Sequence, residues 1–317
     1  MTGTRPWAMG LALVALASGL AGCSGEAGSS GSGRTLGLVQ FSGDDVYSNS
    51  ALQGAADYAE SKGWKTITVD AKGSVDGANT AMENLVTRGV DAMVVSVFPS
   101  SALGAGVAAA RQADVPVANW GGGRADGVPF AADTALGDEL AERVVKDMGG
   151  EGELLALGYR PGLPCQNREK SLDEAVKGTG IKVTRQQITI PGAVTSASEA
   201  TLGWLASHPE GGGPLAVWAC FDDPAVGAVS ALRQSGRDDV LSYGLNGTAP
   251  ALELVKDGEL TATLWIDGPG QGAELAKRLM ADLDASGPAD PAEIGGTTQV
   301  IDKDGVNEFL KQHPEIR

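Results

Sequence analysis

From residue 35 onward, short β-rich apolar runs alternate with stretches whose apolar residues recur every three to four positions. Residues 35–40 (TLGLVQ) and 66–69 (TITV) read as strands. Between them Leu52, Ala55, Ala56 and Ala59 share one helical face, with Gly63 placed to stop the helix. Ala78, Ala81, Met82, Leu85 and Val86 form the stripe of the next helix, which ends at Gly89. Residues 92–95 (AMVV) are apolar throughout, as a strand covered on both faces should be. A helix from about Ser100 and a strand over 115–119 complete this half. The pattern then restarts. Leu140, Ala141, Val144, Val145 and Met148 predict a helix, and 154–157, 183–190, 215–218 and 241–243 predict further strands separated by helices. Such βα alternation implies parallel, doubly wound sheets, here in two similar α/β halves.

Ligand sites in open α/β sheets lie beyond the carboxyl ends of the strands, and here those ends are rich in rings and carboxylates. Asp44, Asp45 and Tyr47 follow the first strand, and Asn119 and Trp120 precede Gly121, Gly122 and Gly123. Tyr159 to Arg168, then Phe221, Asp222 and Asp223, then Asn246, and finally Trp265 and Asp267 complete the set. Rings stack on apolar or sugar faces, while Asp, Asn and Arg hydrogen-bond hydroxyls and fix orientation. Trp218 continues an apolar strand and is expected in the core, whereas Trp120 sits among glycines, where core packing is harder. One member of each aspartate pair is a candidate helix cap; the pairs are also the remaining candidates for acid chemistry or a cation. The glycines at 121–123 lack the Lys-Ser/Thr or helix-opening Gly pattern of a phosphate loop.

The chain opens on a targeting pattern. Arg5 is the only charge ahead of the apolar run from Trp7, and residues 7–22 are uncharged but short for a membrane span of ~20 residues. Leu20-Ala21-Gly22-Cys23 resembles the lipobox of bacterial lipoproteins, which implies cleavage after residue 22 and acyl chains on Cys23. Residues 23–34 then form a lipidated cysteine and a Gly/Ser-rich tether.

Composition narrows the chemistry. With 40 acidic against 24 basic residues and a net charge of −16, the chain lacks the basic surface that nucleic acid requires. Its two histidines, His208 and His313, lie far apart, so neither a His-based triad nor a multi-His metal site is expected, and no cofactor motif is present. Cys165 and Cys220 remain after the anchor cysteine; in an oxidising location they form either a bridge, the favoured reading, or two buried thiols.

The segments 35–39, 89–95 (GVDAMVV), 115–117, Ala132-Asp133-Thr134 with Gly137, Arg168, 222–228 (DDPAVGA), 244–247 (GLNG) and 257–260 (DGEL) with Ala262-Thr263 together resemble the ribose-type periplasmic binding proteins of ABC sugar importers, in unbroken order over about residues 35–300. The resemblance implies two Rossmann-like lobes with parallel doubly wound sheets joined by a three-segment hinge, the type I arrangement. The lobes fall at 35–132 with 267–295 and at 133–266 with 296–317, crossing near Ala132-Asp133, Ile266-Asp267 and 295–299. Carried over by position, it places a stacking ring on Tyr47 beside Asp45 and a sugar-clasping arginine on Arg168. It departs from the family at Phe221, Asn246 and Ile266, and at Gly121-Gly122, where the family has an Asp-Arg pair. The expected ligand set is Asp45, Tyr47, Asn119, Trp120, Asp133, Arg168, Phe221, Asp222, Asn246, Trp265 and Asp267. The departures point to a less polar, bulkier or aromatic-stacked ligand among modified sugars, polyols and nucleoside-like compounds. The implied protein is a monomeric lipoprotein without enzymatic activity, partnered by a membrane permease. The alternatives are a sensory lipoprotein feeding a receptor and a hydrolase using its Asp pairs. A transcription regulator of this fold would carry a DNA-binding helix-turn-helix where the lipobox stands.

Overall fold

A computed structural model of the chain describes residues 33–132, 137–285 and 290–316. The targeting segment 1–22, Cys23, the tether up to residue 32 and Asp133 lie outside them.

The first half runs β1 (Thr35–Gln40), α1 (Val46–Ser61), β2 (Lys65–Asp70), α2 (Val75–Thr87), β3 (Ala92–Ser96), α3 (Gly104–Gln112), β4 (Val117–Trp120) and β5 (Phe130–Ala132). The second runs α4 (Asp138–Asp147), β6 (Glu151–Gly158), α5 (Leu163–Val176), β7 (Gly180–Gln187), α6 (Ala193–Leu205), β8 (Leu215–Ala219), α7 (Asp222–Ser235), β9 (Val240–Asn246), α8 (Ala249–Asp257) and β10 (Ala262–Ile266). Then follow α9 (Gly268–Asp284), β11 (Ala292–Ile294), β12 (Thr298–Asp302) and α10 (Val306–Gln312). One six-stranded sheet is ordered β11-β5-β4-β3-β1-β2 and the other β12-β10-β9-β8-β6-β7. These two α/β lobes are parallel throughout except that β12 runs antiparallel to β10. The chain changes sheet after β5, after β10 and between β11 and β12.

Residue chemistry accounts for the elements. β3 and β8 are buried along their whole length, since helices cover both faces. The α1 and α2 stripes turn inward as their spacing demands, and Gly63 and Gly89 adopt the positive φ that ends each helix. α9 returns from the second sheet to pack on α1. A Cβ on Gly272 would run into the Ala51 carbonyl, so only glycine permits that approach.

Three details depart from the sequence reading. The strand expected at 115–119 starts at Val117, because Pro116 has no N–H to donate, and runs on to Trp120. The strand expected over 183–190 occupies Gly180–Gln187, ending before Pro191. Asp45 caps α1 through its bond from the Ser48 amide, but Asp222 and Asp223 lie inside the first turn of α7, whose N-cap is Phe221. Among the described residues no helix is long and apolar enough to cross a membrane.

Candidate functional site

The carboxyl ends of both sheets face one another and enclose a cleft of about 410 Å³, its mouth included. The first lobe contributes Phe41, Asp45, Tyr47, Ser48, Val97 and Trp120. The second contributes Tyr159, Gly162, Pro164, Cys165, Arg168, Ile190, Phe221 and Asn246. The lobes touch across it, with the Phe41 and Tyr159 rings edge-on at 5.8 Å.

On the first lobe, two rings are held by their polar ends. The Tyr47 hydroxyl donates to the Ile266 carbonyl at 2.9 Å, and the Trp120 indole N–H donates to Gln271 Oε1 at 3.0 Å. The rings meet edge-on with centroids 5.3 Å apart. Their heteroatoms are engaged in scaffold, which leaves carbon for the cleft. Burial raises the Tyr47 hydroxyl far above its usual range. Asp45 accepts from the Ser48 amide at 3.1 Å. Burial raises its pKa as well, against the Ser48 hydrogen bonds and the charge of Arg168, which pull it down. The Ser48 hydroxyl is buried beside that carboxylate.

On the second lobe, Arg168 lies in α5, buried, with Nη1 donating to the Cys220 carbonyl at 2.7 Å. Cys165 and Cys220 form a disulfide with Cα atoms 5.2 Å apart, tying the start of α5 to the turn that carries Phe221. Asn246 ends β9 at φ +121°, a region asparagine tolerates better than most residues. Its buried Oδ1 accepts no hydrogen bond. Burial, and then the charge of Asp45, raise the pKa of Tyr159.

Of the residues singled out from sequence, Asp45, Tyr47, Trp120, Arg168, Phe221 and Asn246 come together here. Four others do not line the cleft. The Asn119 side-chain amide donates to the Phe98 carbonyl and the Ser100 hydroxyl and accepts from the Gly122 amide, bracing the loops behind Trp120. Asp222 is fully buried beneath the second-lobe face, where its carboxylate takes the Thr263 hydroxyl and the Thr248 amide, both at 2.7 Å. Burial pushes its pKa up to about 7, against those hydrogen bonds. Trp265 packs on Phe309 and His313 on the other side of its strand, and Asp267 caps α9 through the Gly270 amide. Asp223 is half-buried, with its pKa pushed up to about 6 by burial and then by Asp45 across the gap. Phe41, Val97, Tyr159 and Ile190 also line the cleft; Phe41 and Tyr159 stand among the strand-end rings, but none of the four belongs to the expected ligand set. Three of them are the first residue beyond a strand, which was the available signal.

This arrangement can hold a small molecule between rings while a carboxylate, a guanidinium, an amide and a hydroxyl take its polar groups. Among the described residues no group of three or more His, Cys, Asp or Glu side chains is placed to hold a metal ion.

The comparisons agree with that geometry. Over 258 residues the chain is 28% identical to the ribose import binding protein of Bacillus subtilis, covering 78% of this chain and 79% of that one. Over 307 residues it is 26% identical to the xylitol-binding protein of Mycolicibacterium smegmatis, covering 92% and 84%. It shares its fold with the crystal structure of an ABC transporter solute binding protein from Agrobacterium vitis with bound allitol (TM-score 0.80, 23% identity, 88% and 98% covered). The model of the periplasmic binding protein domain matches residues 37–286, most of the two-lobed frame just described, and the chain belongs to that family.

Proposed function

We propose that this chain is the extracytoplasmic solute-binding component of an ABC importer, closing its two lobes on one sugar or polyol. The observation that carries the reading is the cleft itself: ring carbon from Tyr47, Trp120 and Phe221, with Asp45, Arg168 and Asn246, contributed by both lobes to one space. The printed ligands of its relatives, ribose, xylitol and allitol, are polyhydroxylated, which suits a cleft that pairs rings with hydrogen-bonding groups.

The mechanism follows from where the contacts come from. Divided as 35–132 with 267–295 and 133–266 with 296–317, the lobes rotate about the three crossings, where Asp133 and Asp267 lie. A ligand touches both faces only when they are together, so its contact energy shifts the population from open to closed. The closed form then docks on a membrane permease. Acyl chains on Cys23 hold the monomer to the outer face of the cytoplasmic membrane, and the tether lets the body reach its partner. No chemistry on the ligand is required. Asp222, the buried carboxylate a hydrolase would use, has its oxygens taken by Thr248 and Thr263.

The test is a thermal-shift screen of sugars, polyols and nucleosides against the chain lacking residues 1–22, read with tryptophan fluorescence. A ligand present at one hundred times its Kd adds ~2.7 kcal/mol of stability, and one that stacks on Trp120 changes its emission. A broad library in which nothing raises the melting temperature or alters the fluorescence sinks the reading.

A further inference from the structure

The cleft is divided in chemistry. Asp45, Ser48, Arg168 and Asn246 supply its polar groups, and the buried Oδ1 of Asn246 has no protein partner, so it is placed to meet a ligand hydroxyl. The rest of the lining is mainly ring and aliphatic carbon, from Phe41, Val97, Tyr159, Ile190 and Phe221 of both lobes. Phe41 packs at 4.8 Å on Phe98 and edge-on at 5.8 Å on Tyr159. A Cβ placed on Gly162 would lie 3.4 Å from Val97 Cγ1 and 3.2 Å from the Tyr159 ring. Ile190 lines the same cleft from the second lobe.

Val97 is the unusual member of this wall. It takes φ +69°, in the left-handed region, where a β-branched residue is an outlier. Its amide donates to the Trp120 carbonyl at 2.7 Å, which holds the strained turn beside the site. Glycine or asparagine would enter that backbone conformation at less cost, but neither would present an isopropyl group to the cleft. Strain kept at a ligand-lining position points to what the side chain does there.

We propose that the ligand carries an apolar edge, the methyl end of a deoxy sugar or deoxy polyol, seated on Phe41, Val97 and Ile190, and that Val97 sets this preference. This rests on the reading that the cleft takes a sugar or polyol. A hydroxyl in place of that methyl would lose its water against the carbon wall, whereas the methyl loses nothing.

The experiment is isothermal titration calorimetry on the purified full chain with matched pairs: D-galactose and D-fucose, L-mannose and L-rhamnose, D-ribose and 5-deoxy-D-ribose. The deoxy member of the pair that binds is expected to bind at least about tenfold tighter. Val97→Asn, which suits the backbone and adds polar atoms, is expected to reduce that ratio to about threefold or less. Should Val97→Asn melt well below the parent, Ile190→Thr on the facing lobe is the second variant and must narrow the ratio in the same sense. Equal or tighter binding of the hydroxylated member overturns the inference and leaves the sugar reading standing. A ratio unchanged by the variants overturns the role given to the wall. If no member of any pair binds, the inference falls, and the broader screen decides separately whether the sugar reading survives.

Discussion

The two faces of the cleft carry rings and polar groups on the same kind of loop, yet they are braced differently. On the first lobe, Tyr47 and Trp120 are held by hydrogen bonds to Ile266 and Gln271, which belong to the strand and helix flanking one crossing between the lobes. On the second lobe, Arg168 and Phe221 are held by a covalent bridge, Cys165 to Cys220, and by the Arg168 bond to the Cys220 carbonyl. The second brace lies wholly inside its own lobe, so that face stays assembled whatever the first lobe does. The first brace reaches to the segment that must bend if the lobes separate. One face is therefore preassembled, and the other is coupled to the crossing.

The largest effect should come from breaking the covalent brace. Replacing both cysteines by serine opens a loop of 55 residues, and the loop-closure model puts the loss near ~4 kcal/mol. Denaturant unfolding should show that loss, and ligand affinity should fall with it because Arg168 and Phe221 lose their common anchor. A variant that loses stability but binds its ligand as tightly as the parent would mean the bridge supports the lobe without holding the site.

Next in size is the carboxylate beneath the same face. The pKa of Asp222 rises from 3.8 to about 7 on folding, so the folded state binds the extra proton and stability falls as pH climbs through that window. Between pH 5 and pH 7 the charge cost grows by about 2 kcal/mol. Asp222→Asn has no charge to bury. It should match the parent at pH 5 within about 1 kcal/mol and exceed it at pH 7 by about 2 kcal/mol more than at pH 5. Thermal melts at the two pH values decide it; a parent-to-variant difference that does not change with pH rejects the buried titration. The corresponding first-lobe carboxylate, Asp45, is not locked in this way, since it lines the cleft.

The contrast between the lobes also separates what the sequence could tell from what it could not. The βα alternation, the all-apolar third strand and the stops at Gly63 and Gly89 follow from local periodicity and backbone freedom, and they are legible in the chain. Three-residue strands such as β5 and β11 are too short to show a period, and the antiparallel pairing of β12 depends on which sheet the chain has reached. At the site, polar residues and Trp120 stood out because their surroundings made core packing unlike them. Phe41 and Val97 did not, since an apolar residue following an apolar strand looks the same whether it faces the core or a cleft, and Ile190 fell inside the strand expected over 183–190. Trp265 shows the converse. It sits at a strand end, but the alternation of the strand turns it toward Phe309 and His313.

The smallest effect tests the first-lobe brace. Tyr47→Phe keeps the ring that meets Trp120 and removes only the hydroxyl that reaches the Ile266 carbonyl. That bond is buried, and the carbonyl it leaves behind is at the start of a crossing, so the folded chain should lose about 1 kcal/mol. If the brace is coupled to lobe closure, its loss should also appear in the rate at which the closed form lets go: ligand dissociation, followed by stopped-flow fluorescence of Trp120, should quicken. The disulfide variant should weaken binding through disorder confined to the second lobe. Tyr47→Phe acts on the joint between the lobes while both faces stay assembled. A variant with the expected stability loss but the parent's dissociation rate would show that Tyr47 anchors its ring and has no part in holding the lobes together.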